Sequence, residues 1–169
     1  RAYWAVFAGA FGHTYGNNLV WQMHMPSNKG LHAPSMYWDD ALDRPGAWQM
    51  SHLRALMESR PMLARVPDQG LLVDALEGAD HVSATRGDGY AFVYSAMGRK
   101  LEVRLGGISG DKVKAWWWNP RTGRATLVDT FDDRGTREFV CPGEGFGNDW
   151  VLVLDDPQRG YPAPGQPRR

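Results

Sequence analysis

Apolar and polar positions change their spacing along this chain, and the change divides it at about residue 60. In the later part the period is two. Leu101, Val103 and Leu105 alternate with Lys100, Glu102 and Arg104, which predicts a half-buried strand. Tyr90, Phe92 and Tyr94 alternate with Ala91, Val93 and Ser95 in the same way. Residues 113–118, 125–130, 137–141 and 150–154 continue the series. Turn-forming clusters punctuate it at 87–89, 106–107, 119–123 and 132–135. Seven short strands at about ten-residue spacing, counted from His81, predict an antiparallel β-sandwich.

The first sixty residues read differently. Residues 45–59 place Met50, Leu53 and Met57 at helical spacing, with Pro45 suited to the first turn and Pro61 forbidding continuation. Residues 2–10 are apolar on every side, which predicts a helix buried on several faces. Few other elements in this half could cover it, so its covering is expected to come from polypeptide beyond this chain. Leu19-Val20-Trp21 predicts one short buried strand, and residues 26–34 a loop. The expected organisation is residues 1–66, a sandwich at 67–157, and a flexible Pro-rich tail at 158–169 with Pro162, Pro164 and Pro167.

Composition narrows the function. The 169 residues carry 19 basic and 19 acidic side chains, and this balance disfavours a dedicated nucleic-acid binder. No apolar run approaches the roughly 18 residues of a membrane-spanning helix. The single Cys141 allows no internal disulfide and no Cys-rich zinc site. The start at Arg1 has neither an initiator Met nor the layout of a signal peptide, as expected of a fragment or processed piece.

Candidate chemistry gathers in residues 13–22. His13, Thr14, Tyr15, Asn17 and Asn18 sit among glycines, with Trp21 and Gln22 following. Neutral polar groups beside an indole suit a sugar, whose hydroxyls take hydrogen bonds and whose CH face packs on the ring. The same residues could instead satisfy buried backbone near a turn. His24, His32, Asp39 and Asp40 match no tight metal-ligand spacing, and no metal or cofactor is expected. Cys141 has no base beside it in sequence, and Ser51 and His52 point in different directions on a helix. Asp39 and Asp40 flank Tyr37-Trp38 and read as solvated more readily than as a catalytic pair. The Gly-rich residues 141–147 lack the Lys-Ser/Thr ending of a phosphate loop and read as a turn. Trp116 and Trp118 share one strand face, as core packing, a contact with another domain or a flat sugar platform.

Two stretches carry a resemblance. Residues 1–16, with Gly12-His13-Thr14-Tyr15-Gly16, then Val20-Trp21-Gln22, residues 45–61 and Pro67-Asp68-Gln69 resemble the end of the barrel in apiosidase-like glycoside hydrolases of family 140. Residues 89–94 and 115–123, with Trp118-Asn119-Pro120-Arg121-Thr122-Gly123, resemble the module named putative collagen-binding domain of a collagenase. The resemblance implies an α/β plus all-β chain, the last segment of a (β/α)8 barrel followed by an antiparallel β-sandwich. It implies cleavage of glycosidic bonds in plant cell-wall, pectic glycans, and a secreted or periplasmic location. It places the family's catalytic carboxylates at the ends of barrel strands 4 and 7, where neither maps onto this sequence. His13, Tyr15 and Trp21 are then the expected substrate-binding pocket wall, and Trp116 and Trp118 the possible sugar platform. The expected partners are a glycan and a missing N-terminal barrel segment or complementing chain, without nucleic acid or membrane. The alternative is a non-catalytic carbohydrate- or matrix-binding module.

Overall fold

The computed structural model describes residues 1–28, 30–32 and 34–167. Lys29 and Ala33 of the expected 26–34 loop, and Arg168 and Arg169 of the expected tail, lie outside the described residues. The described chain is mostly antiparallel β-structure with few helices. Strands β1 (Val66–Pro67), β2 (Val82–Gly87), β3 (Tyr90–Ser95), β4 (Leu101–Arg104), β5 (Lys112–Asn119), β6 (Arg124–Asp132), β7 (Thr136–Phe139) and β8 (Trp150–Asp155) follow in order. Six form one sheet in the order β1-β2-β3-β8-β5-β6, and β4 pairs β7 in a second.

The period of two explains how the large sheet is covered. Ala91, Val93, Leu152, Leu154, Val113, Ala115 and Trp117 turn to one face, where Leu101, Val103 and Phe139 of the small sheet meet them. Tyr90, Phe92, Tyr94, Val151, Val153 and Trp118 turn to the other. Central strands buried on both faces are largely apolar, as β3 and β8 are up to Ser95 and Asp155 at their ends; β4, covered on one face, alternates buried with exposed. Burial near the lone Cys141 leaves its thiol donating to the Arg99 carbonyl at 3.2 Å and pushes its pKa up to about 12, so it is not a ready nucleophile.

The aromatic face receives the first half of the chain. Helices α1 (Ala2–Phe7), α2 (Asn18–Trp21), α3 (Trp38–Ala41) and α4 (Pro45–Glu58) precede the strands. Tyr3 and Phe7 of α1 and Leu53, Leu56 and Met57 of α4 pack on Tyr90, Phe92, Tyr94 and Trp118. Tyr3 stacks on Tyr94 with ring centroids 4.9 Å apart and accepts a hydrogen bond from Trp118 Nε1 at 3.2 Å. The expectation that α1 lacks a cover within the chain is therefore wrong. The first-half elements are indeed few, but the strand region supplies a whole aromatic sheet face.

A buried ion pair secures this junction. Arg60 follows the Ser59 that closes α4, and its Nε and Nη2 donate to the two Asp155 carboxylate oxygens at 2.8 and 2.7 Å. Tyr161 lies under the guanidinium, 4.9 Å from ring centroid to Cζ, and its hydroxyl donates to the Asp88 carbonyl at 2.7 Å. Pro164 is buried. Gly165 has φ +80°, and a Cβ there would stand 2.4 Å from the Trp118 ring. Residues 158–167 are thus packed rather than loose, because Tyr161 and Gly165 find partners on the aromatic face that the local Pro-rich composition does not reveal.

Candidate functional site

Residues 12–18 leave α1 and turn over the start of α4. Asn17 organises the turn: its Oδ1 accepts from the Leu19 backbone N–H at 3.1 Å and its Nδ2 donates to the Ala41 carbonyl at 3.1 Å. This side-chain cap begins the helical turn α2, so Leu19-Val20-Trp21 is not the strand its apolar run predicted. Three apolar residues fit either element, and the asparagine before them decides. Tyr15 lies across the first turn of α4, where position 46 is glycine. A Cβ at Gly46 would meet the Tyr15 ring and hydroxyl at 3.0 Å, so the close approach depends on the missing side chain.

The Tyr15-Gly16-Asn17 run is a wall between two clefts. One, of about 340 Å³, is lined by Tyr15, Asn17, Asn18, His32, Ser35 and Arg44 among others. The other, of about 280 Å³, is more apolar and lies between Tyr15, Val20, Trp21, Leu42 and Ala47. Among the described residues neither is lined by an Asp or Glu. Trp21 is exposed, with its ring available at the apolar cleft. His13 is placed elsewhere, in an apolar cleft of about 190 Å³ with Phe11, Met50 and Met62. Of the three expected pocket-wall residues, the fold brings Tyr15 and Trp21 together and sets His13 apart.

The loop that carries His32 is tied to α2. Gln22 Nε2 donates to the Leu31 carbonyl at 3.3 Å, Asn28 Nδ2 donates to the Gln22 carbonyl at 3.2 Å, and the Gly30 N–H donates to Asn28 Oδ1 at 2.9 Å. His32 itself adopts φ +59° at the cleft rim. Asn18 belongs to the 13–22 run that the sequence singles out; Arg44 and Ser35 do not, and their signal is only proximity to Pro45 and to that run.

The tryptophan pair divides. Trp118 is buried at 1% exposure, and its indole N–H is committed to Tyr3. It cannot serve as a sugar platform, because α1 and the residue 165 turn already occupy its faces. Trp116 is half-buried, with Lys114 Nζ 5.0 Å from its ring centroid.

Other candidates resolve into structural roles. Asp39 and Asp40 are exposed in the first turn of α3. Ser51 Oγ donates to the Trp48 carbonyl at 2.6 Å, while His52 Nδ1 lies 3.1 Å from the Pro120 carbonyl, so the two form no relay. Among the described residues no three His, Cys, Asp or Glu side chains group to hold a metal ion. Asp149 has a polar surrounding of its own: Tyr94 donates to it at 3.3 Å and Arg121 Nη1 lies 3.4 Å away. Burial pushes its carboxyl up, with Arg121 and Tyr94 opposing.

Comparison with known proteins places both halves. Residues 66–155 match the family described as "Putative collagen-binding domain of a collagenase", and residues 1–64 match "Apiosidase-like, catalytic domain". A solved structure described as a glycoside hydrolase is 42% identical, with a TM-score of 0.89, over 93% of this chain and 36% of that one. A structure described as a glycoside hydrolase of family 5, from Bacteroides vulgatus, is 36% identical, with a TM-score of 0.92, over 98% of this chain and 37% of that one. The chain thus spans a little over a third of the length of these structures. No curated protein matches it.

Proposed function

We propose, for a chain that belongs to the family of the "Putative collagen-binding domain of a collagenase" and is apiosidase-like over its first 64 residues, a role as part of a glycoside hydrolase acting on pectic glycans. In this reading residues 1–66 are the last segment of a (β/α)8 barrel and residues 67–157 a β-sandwich that braces it. Tyr15 and Trp21 contribute the wall of the sugar site, and the catalytic carboxylates come from barrel strands outside this chain. Glycoside hydrolysis needs two carboxyl groups facing each other across roughly 5–10 Å. The observation that carries the reading is a sugar-like cleft wall of hydroxyl, amide and indole groups with no acidic residue lining it, in a chain whose structural relatives are glycoside hydrolases.

The brace has its own support. The aromatic sheet face that a free-standing binding module would offer to a ligand is occupied by α1 and α4. This favours a structural role over the alternative of a carbohydrate- or matrix-binding module.

The test compares sugar release from pectic oligosaccharides by the complete gene product and by this 169-residue chain. The complete product should turn over, and its Tyr15→Ala variant should lose at least tenfold in kcat/KM. The isolated chain should be inert. Turnover by the isolated chain, or an inert complete product, overturns the proposal.

A further inference from the structure

We infer that Gly46 is a positioning residue of the sugar site: the room left by its missing side chain holds the Tyr15 ring in place as the partition between the two clefts. This rests on the reading of Tyr15 as part of the substrate wall. Gly46 is the second residue of α4, directly after Pro45. Glycine weakens a helix relative to alanine, because its backbone loses more freedom on folding. The backbone does not call for it here, since Gly46 is not among the glycines with positive φ. Alanine would suit the helix better, so the reason for the glycine lies outside the helix.

The neighbouring atoms supply that reason. The three atoms nearest a Cβ at position 46 all belong to Tyr15: Cε2 and the hydroxyl oxygen at 3.0 Å and Cζ at 3.3 Å. Non-bonded carbon atoms settle at about 3.5–4.0 Å, so one partner has to give way. α4 is held through Leu53, Leu56 and Met57 in the aromatic core. The Tyr15 ring is 39% exposed, and its hydroxyl has no hydrogen-bond partner among the described residues. The ring is therefore the partner that moves. Gly12 and Gly16 flank Tyr15 in the same run, and a Cβ on either would meet nothing within 4 Å. Crowding is thus particular to the contact between α4 and the ring.

The consequence falls on both clefts, because Tyr15 lines each of them. A ring pushed off α4 keeps its hydroxyl and its apolar face but presents them in the wrong place. The proposed carboxylates lie elsewhere, so the loss takes the form of weaker binding with the chemical step intact. The helix meanwhile gains from the alanine. Binding and stability then move in opposite directions, which a glycine kept only for the fold does not produce.

The experiment measures sugar release from pectic oligosaccharides by the complete gene product and by its Gly46→Ala, Tyr15→Ala and double variants, with the thermal midpoint of each. Gly46→Ala should raise KM about threefold or more and leave kcat within about twofold. On the Tyr15→Ala background the same substitution should leave KM unchanged, since the ring it displaces is gone. There it should also raise the thermal midpoint by about 1 °C or more. A Gly46→Ala variant with the parent's KM, or a KM penalty that persists on the Tyr15→Ala background, overturns the assignment of Gly46 alone. A thermal midpoint that falls on both backgrounds assigns the glycine to the helix itself and also overturns it. An inert complete product overturns the sugar-wall reading and this inference with it.

Discussion

The two halves of the chain treat apolar side chains in opposite ways. Among the described residues, ten large apolar side chains stand exposed before residue 65 and six after it, although the later part is the longer. Those of the first part include Phe11, Trp21, Leu31, Trp48 and Leu63; four of the six in the second are valines. Strand alternation on the later side sends most apolar residues into one of two cores. The earlier side has no such closure of its own. Its covered face is the one lent by the sheet, and the rest leaves ten large apolar side chains exposed among the described residues. Covering of this surface by the remainder of a barrel is the role proposed for it above.

The contrast can be broken most forcefully at the junction. Asp155→Ala should cost about 3–5 kcal/mol by leaving the Arg60 guanidinium buried without a counter-ion. Replacing both partners by apolar residues should recover most of that loss, as urea unfolding of the single and double variants would reveal. Additive single and double effects would mean that the pair does not act as a unit.

A finer cut lies within α4, whose two sides face the two conditions. Leu56 is fully buried on the sheet side, and Leu56→Ala should destabilise by about 2–5 kcal/mol. Trp48 is 61% exposed on the same helix, and Trp48→Ala should change stability by no more than about 0.5 kcal/mol in the isolated chain. Comparable losses at the two positions would show that the first half is covered more evenly than the contrast claims.

The smallest effect concerns the sheet corner where Asp149 sits. Its carboxyl is raised above the ordinary value of 3.8, chiefly by burial. The folded state therefore holds the proton more tightly than the unfolded chain. The contribution is fully present below 3.8 and is lost as pH rises through the folded value. Asp149→Asn should flatten the fall in stability as pH rises above the ordinary carboxylate value of 3.8, measured as urea midpoints. A variant that tracks the parent across that window would remove Asp149 as the source.

Legibility in the sequence followed the length of each periodic signal. The strands and α4 were readable because alternation or helical spacing runs through several residues in each, as in Leu101–Arg104 and Pro45–Glu58. The two-residue strand Val66–Pro67 was not, since no period fits in so short a piece. Leu19-Val20-Trp21 was misread because the deciding group is the Asn17 side chain, whose cap outweighs three apolar neighbours. Covering of α1 and docking of residues 158–167 depend on contacts between distant stretches, and those leave no local pattern. At the site, Tyr15 and Trp21 were visible as chemistry. The separation of His13, the burial of Trp118 and the arrival of Arg44 all follow from tertiary placement.

The Arg60–Asp155 pair spans 95 residues of chain. During synthesis at about 5–20 residues per second, the arginine leaves the ribosome on the order of 5–20 s before its partner exists. For more than half of that interval the rings of α1 also lack Trp118, and throughout it they lack the residue 165 turn. Docking of α1 and α4 onto the aromatic sheet face is thus timed by β8, which follows them along the chain.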